Sequence, residues 1–145
     1  MNYGFQNKGI NLYHCGGLQF QSKNTIIYGP HKSGKSNYIA KNMSKANLIY
    51  ADDILAYSKK SHNFFGLGFP IRLRRPINKK LIKLIPKKFF IAGKNLAFLR
   101  KEYANIAPVE HEFFFDLCFE IKTYKIVEKI PFYKVHKFLN NYRIK

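Results

Sequence analysis

Residues 25–43 read TIIYGPHKSGKSNYIAKNM, a β-branched and aromatic run, a loop with glycine at its turning points, and then a stretch free of glycine and proline. Strand, then Gly29, Pro30, His31, Lys32, Ser33, Gly34, Lys35 and Ser36, then helix, is the order of a phosphate-binding P-loop, or Walker A sequence. It confines the chain to folds in which a strand hands over directly to a helix. A phosphate chain needs backbone N–H groups turned inward around it, and glycines at 29 and 34 let the backbone wrap that closely. Lys35 supplies a mobile positive charge. Ser36 opens the helix, where its hydroxyl is placed to join a Mg²⁺ shell and the helix N-terminus adds partial positive charge below the phosphates.

The charge pattern adds a second constraint. The 145 residues carry 26 Lys and Arg against 8 Asp and Glu, a net charge of +18. A balance this basic raises nucleic acid or an anionic surface as partners. Its distribution is uneven: residues 1–101 hold 19 basic residues but two acids, Asp52 and Asp53, and these are adjacent. A carboxylate pair isolated in a positive field is poorly explained by solubility, whereas a Mg²⁺ ion or a proton acceptor requires one. With 14 Phe and 10 Tyr the chain has the material for a core, and its length suits a single domain. Cys15 and Cys118 form no disulfide framework and no zinc spacing, so both are expected reduced and structural. No apolar run reaches spanning length and no secretory block opens the chain, so a cytoplasmic location without membrane contact is expected.

Along the chain, strands are expected at Ile10–His14, at Leu18–Gln21 after a turn at Gly16-Gly17, and at Thr25–Tyr28. A helix is expected from Lys35 to Met43 and a strand from Asn47 to Tyr50, which sets Asp52 and Asp53 at a strand's carboxyl end. In open α/β sheets that end faces the ligand crevice, the edge on which the loop also opens. Phe65–Pro76 reads as a loop leading to a short strand, Asn78–Ile85 as helical turns before Pro86, and Lys88–Ala92 and Phe113–Ile121 as strands. Apolar spacing at Phe132, Val135, Phe138 and Leu139 predicts a terminal helix over 132–142.

Three landmarks together resemble the catalytic domain of the HPr kinase/phosphorylase family. His14-Cys15-Gly16 is similar to the family's histidine ahead of the loop and stands 15 residues before Gly29. GPHKSGKS is similar to its Walker A loop, and LIYADD, with Asp52 and Asp53 17 and 18 residues after Lys35, is similar to its LVADD segment. The resemblance covers residues 10–57. It implies an α/β fold, a single P-loop domain with a mixed β-sheet flanked by helices, like the C-terminal domain of HPr kinase and related to the phosphoenolpyruvate carboxykinase-like fold. It implies an ATP- and Mg²⁺-dependent kinase in which Asp53 takes the proton from the attacking hydroxyl, Lys35 holds phosphates and Ser36 binds the metal. Asp52 beside them suits a metal or water ligand, and His14 suits orientation of the phosphoryl group. The family's metal-binding glutamate has no counterpart: Asn63 and Phe65 occupy the places its signature would assign to the acid and the arginine.

The acceptor left open by these residues is a hydroxyl of a small carrier protein or of a metabolite, and self-association is also left open. Arg72, Arg74 and Arg75 are candidates for a phosphate clamp or a grip on an anionic substrate, set against a solvated basic edge. The alternative reading is a basic module that senses nucleotide without catalysis and holds nucleic acid or a protein. Residues 54–101 favour it with 13 basic residues, no acid and interleaved Phe. The acidic pair argues the other way, because a nucleic-acid face gains nothing from carboxylates.

Overall fold

The computed structural model describes residues 9–30, 32–74, 76–77, 79–91, 96–99, 105–109, 111–122, 125–129 and 134–144. Its axis is β1 (Ile10–Phe20), which runs unbroken through Gly16 and Gly17, so the expected turn there does not form. The chain reverses instead at Gln21 and Ser22, whose φ values of 51° and 62° are both left-handed. That is the form of a two-residue hairpin turn whose twist matches its strands, and it sets Phe20 opposite Lys23 of β2 (Lys23–Tyr28). The paired glycines serve packing instead. A Cβ on Gly16 would run into Ile39 Cδ1 of α1 (Lys35–Asn42), and one on Gly17 would lie 3.1 Å from Leu55 Cδ1.

Register decides what meets across β1. On one edge it pairs with β3 (Leu48–Ala51) and β4 (Ile54–Ser58), both antiparallel, with Gly17 opposite Ala51 and His14 opposite Ile54. Those two pairs keep one register, so β3 and β4 act as one neighbouring strand broken at Asp52-Asp53, level with Gly16 and Cys15. On the other edge β2 ends with Tyr28 opposite Cys15. There β11 (Arg143–Ile144) takes over, with Tyr13 opposite Arg143 and the His14 N–H donating to Tyr142 O at 2.7 Å. Neighbouring strands lie about 4.8 Å apart, so the exit of β2 and the acidic break flank the same two residues of β1 within about 10 Å of each other.

The sheet is mixed. β9 (Leu117–Lys122) lies parallel to β2, β10 (Lys125–Lys129) pairs antiparallel with β9, and β5 (Phe64–Gly66) extends the far side from β4. A second, three-stranded sheet holds β6 (Arg72–Arg74), β8 (Leu96–Leu99) and β7 (Phe90–Ile91), in that order. The period-2 alternation of β2 sends Ile26 and Tyr28 to one core and Ile27 to the other. The first core contains Tyr13, Tyr50, Phe64, Phe113 and Phe115 and is covered by Val135 and Leu139 of α3 (Val135–Asn140). The second gathers Ile39, Ala40 and Met43 around α1 with Leu81 and Ile85 from α2 (Lys79–Leu84) and its C-terminal flank. The described chain is thus a strand-rich α/β structure with helices on the sheet faces. No helix among the described residues is long and apolar enough to cross a membrane.

Several sequence expectations are corrected. Leu18–Phe20 is the end of β1 rather than a separate strand, with Gln21 in the turn, and Ile54–Ser58, which carried no strand expectation, is one. The expected strand over Phe113–Ile121 is broken: Phe113 bridges Phe64 in isolation and the strand begins at Leu117. Asn24 accounts for the break, because its N–H donates to Asp116 Oδ2 at 2.8 Å while its carbonyl accepts from Asp116 N–H at 2.7 Å. Lys87–Phe89 forms a 3₁₀ turn and only Phe90–Ile91 is extended; Ala92 lies outside the described residues. Among the described residues the terminal helix spans Val135–Asn140, and the expected start at Phe132 lies outside them.

Candidate functional site

Gly34, at φ 102°, sits at the N-terminal boundary of α1 in a left-handed conformation that disfavours a Cβ, and from it the chain enters the helix through Lys35. The loop before it closes by a turn in which Ser33 N–H donates to Pro30 O at 3.1 Å, with Lys32 at φ 62°. Gly29 is held against β9: a Cβ there would strike Ile121 O and come 2.7 Å from Ser33 Oγ. Ser33 is 5% exposed, and its hydroxyl has no hydrogen-bond partner among the described residues. An orphaned buried hydroxyl inside a loop of this form is a donor in want of an acceptor. His31 lies outside the described residues.

Lys35, 8% exposed, turns its ammonium back into the loop and donates to Gly29 O at 2.9 Å and Pro30 O at 3.3 Å. Burial pushes its pKa down, and Asp53, then Cys15 and Asp52, act in the opposite direction. The lysine and both carboxylates therefore share one electrostatic neighbourhood.

Asp52 is 4% exposed and accepts two hydrogen bonds on Oδ2, one from Ser36 Oγ–H at 3.2 Å and one from Arg72 N–H at 2.9 Å. Burial pushes its carboxyl above the usual aspartate range; the Arg72 N–H and Ser36 pull it back, and Asp53 adds to the rise. Asp53 meets the side chain of that same arginine, its Oδ2 accepting from Arg72 Nη2–H at 2.9 Å. One residue of β6 thus fixes both acids, Asp52 through its main chain and Asp53 through its side chain. A shallow cleft beside this turn is lined by Asp52, Asp53, Leu67, Phe69 and Arg72.

His14 is exposed on β1, and by alternation it faces the same side as Gly16, the side covered by α1. The loop, Lys35, Ser36, Asp52 and Asp53 are therefore gathered where β2 and β3 end, and His14 lies opposite Ile54 on β1. Arg74 is exposed on β6 and Arg75 lies outside the described residues. The double use of Arg72 was not legible beforehand: its main chain and its side chain reach the two acids because β6 packs beside the Asp52-Asp53 turn.

Among the described residues no three or more His, Cys, Asp or Glu side chains gather as a metal cage. Mg²⁺ needs none, since it keeps several waters and takes one or two protein oxygens plus phosphate oxygens. The Ser36 Oγ and Asp52 Oδ2 pair fits that demand, and a buried carboxylate whose charged form is disfavoured gains from a cation beside it. Comparison with protein-family models and with curated proteins gives no match.

Proposed function

We propose that the chain is an ATP- and Mg²⁺-dependent phosphotransferase of the HPr kinase-like kind, a P-loop domain that moves the γ-phosphoryl group to a hydroxyl of a protein or small acceptor. The observation that carries this reading is the Ser36 Oγ to Asp52 Oδ2 hydrogen bond at 3.2 Å, which joins the glycine-rich loop to the acidic strand end. Gly29 and Gly34 free the loop backbone to face a phosphate chain, and the Ser33 hydroxyl is a spare donor within it. Lys35 exchanges two carbonyls for phosphate oxygens, a short swing of its ammonium. Ser36 Oγ and Asp52 Oδ2 would hold Mg²⁺, which when bound neutralises charge on the phosphate oxygens.

Asp53 is the base in this scheme. Arg72 occupies its Oδ2, so the hydroxyl proton passes to Oδ1 as the acceptor oxygen attacks in line. His14, exposed on β1 opposite Ile54, orients the acceptor or the transferred group. The test is phosphate transfer or hydrolysis with radiolabelled ATP and Mg²⁺, comparing the native chain with Asp53→Asn and Lys35→Ala. Unchanged rates in both variants refute the reading. Nucleotide binding without any turnover, equal in native and Asp53→Asn protein, selects the nucleotide-sensing basic module instead.

A further inference from the structure

The cleft beside Asp52 and Asp53 takes part of its wall from the segment GLGFPIR, residues 66–72, which joins β5 to β6. Both ends of that segment are fixed. Gly66 pairs with Leu55 and lies so close to the Tyr50 carbonyl that any Cβ would overlap it, and Ile71 is buried in the second core. Leu67 is half-buried and packs on the cluster of Leu12, Ala56 and Phe65. Between these anchors Gly68 is left-handed at φ 73°, and Pro70 confines the residue before it to extended backbone. Phe69, held between the two, is 54% exposed. Val109, 44% exposed, closes on the same bend, its Cγ2 3.2 Å from where a Cβ on Gly68 would sit. Two large apolar side chains kept in water around one constrained bend, one of them lining a cleft, form a contact surface.

The size and lining of the cleft select its occupant. Ile54, Leu67 and Phe69 line it together with Asp52, Asp53 and Arg72, and it encloses about 10 Å³. That is room for about one water-sized group, whereas sites that enclose a whole metabolite run to about 300 Å³ or more. A single hydroxyl enters it; a sugar or a nucleoside does not. The remainder of the acceptor then rests on the rim, where Phe69 and Val109 offer it apolar surface. Asp53, the base of the proposed reaction, faces the γ-phosphoryl end of the nucleotide, so a ring lining the same cleft stands at the acceptor's end and not at adenine's. Nucleic-acid bases also stack on exposed rings, but their phosphates would meet the carboxylates of Asp52 and Asp53.

We propose that Phe69, with Leu67 and Val109, selects the acceptor: it seats a large aliphatic side chain that neighbours a serine on a protein segment, and so brings that serine's hydroxyl to Asp53. The selection of a phosphoryl acceptor rests on the kinase reading; the affinity of the cleft for such a segment does not.

The test uses two short peptides as acceptors with radiolabelled ATP and Mg²⁺, one with leucine on both sides of a single serine and one with glycine there. The native chain is expected to favour the leucine peptide at least about tenfold in kcat/KM, a gap of about 1.4 kcal/mol. Phe69→Ala should reduce that preference to within about twofold, chiefly by raising the KM of the leucine peptide, and Phe69→Leu should keep it. Phe69 is exposed, and unchanged ATP affinity in both variants certifies their fold. Equal use of the two peptides by the native chain, a preference that survives Phe69→Ala, faster transfer to glycerol than to either peptide, or displacement of the leucine peptide by oligothymidine overturns the proposal. So does weaker ATP binding by Phe69→Ala with the peptide preference intact, which assigns the ring to adenine. If no acceptor is phosphorylated the kinase reading fails, and anisotropy of the same peptides carrying fluorescein decides the cleft. Binding of the leucine peptide about tenfold tighter, lost in Phe69→Ala, keeps it, and equal binding of the two strikes it.

Discussion

Arg72 links the two carboxylates by different atoms, and this separates their roles experimentally. Arg72→Ala removes the ion pair to Asp53 but keeps the main-chain N–H on Asp52. We expect turnover to fall roughly tenfold or more while Mg²⁺-dependent nucleotide affinity stays within about twofold, the pattern of a group that orients a base rather than binds substrate. Steady-state kinetics beside equilibrium binding of a fluorescent ATP analogue measures both. Under the proposed reaction Lys35→Ala should invert that pattern, because the lost charge is the one assigned to the phosphates. Asp53→Asn should leave affinity in place and cost about 10²-fold or more in rate. The motif residues were legible one by one, since glycine, lysine, hydroxyl and adjacent acids each have a distinct chemistry. Their pairings were not, because a hydrogen bond between Ser36 and Asp52 depends on strands brought together from distant sequence.

Elements are where reading and structure part most visibly. Gly16-Gly17 signals a turn to any local reading, yet both glycines pair with β2 and Gly17 also pairs with β3, so the chain runs on as a strand. Gly16 makes room for the helix above: a Gly16→Ala chain must push Ile39 aside and place a Cβ 3.1 Å from Asp52 O. We expect it to lose about 1–3 kcal/mol, as overpacked cores do, seen as a lower denaturant midpoint. The true turn is Gln21-Ser22, which carries no glycine although both residues are left-handed. Ser22→Gly should stabilise the chain by about 1 kcal/mol, relieving a conformation that L-residues avoid, and should raise the thermal midpoint. A stability loss on that substitution would contradict the turn geometry.

For the whole molecule, burial of both cysteines adds to the loss of stability at high pH. Burial pushes the Cys118 thiol from 9.0 up to about 12, and Cys15 is raised well above its ordinary value by burial and by Cys118. Between pH 9 and 12 the unfolded chain loses the Cys118 proton that the native state retains. The native state then binds more protons, so stability falls as pH rises through this window and is unaffected by this group below it. Cys118→Ala should flatten that alkaline decline, measured by urea unfolding at stepped pH. The same burial predicts that neither thiol reacts with an alkylating reagent until the chain unfolds.

What the sequence determined by itself was local: a strand leading into a glycine-rich loop and a helix, a pair of acids at the end of the next strand, and a basic stretch without acids. These follow from side-chain chemistry and from the periods of strand and helix, which act over a few residues. Tertiary structure decided the rest. It carried β1 straight through two glycines, broke its neighbouring strand at Asp52-Asp53, inserted β9 parallel beside β2, and turned Arg72 onto both acids. Each of those outcomes is a pairing between residues far apart in the chain, settled by register and by which side chains fill one core, and no short window of sequence contains both partners.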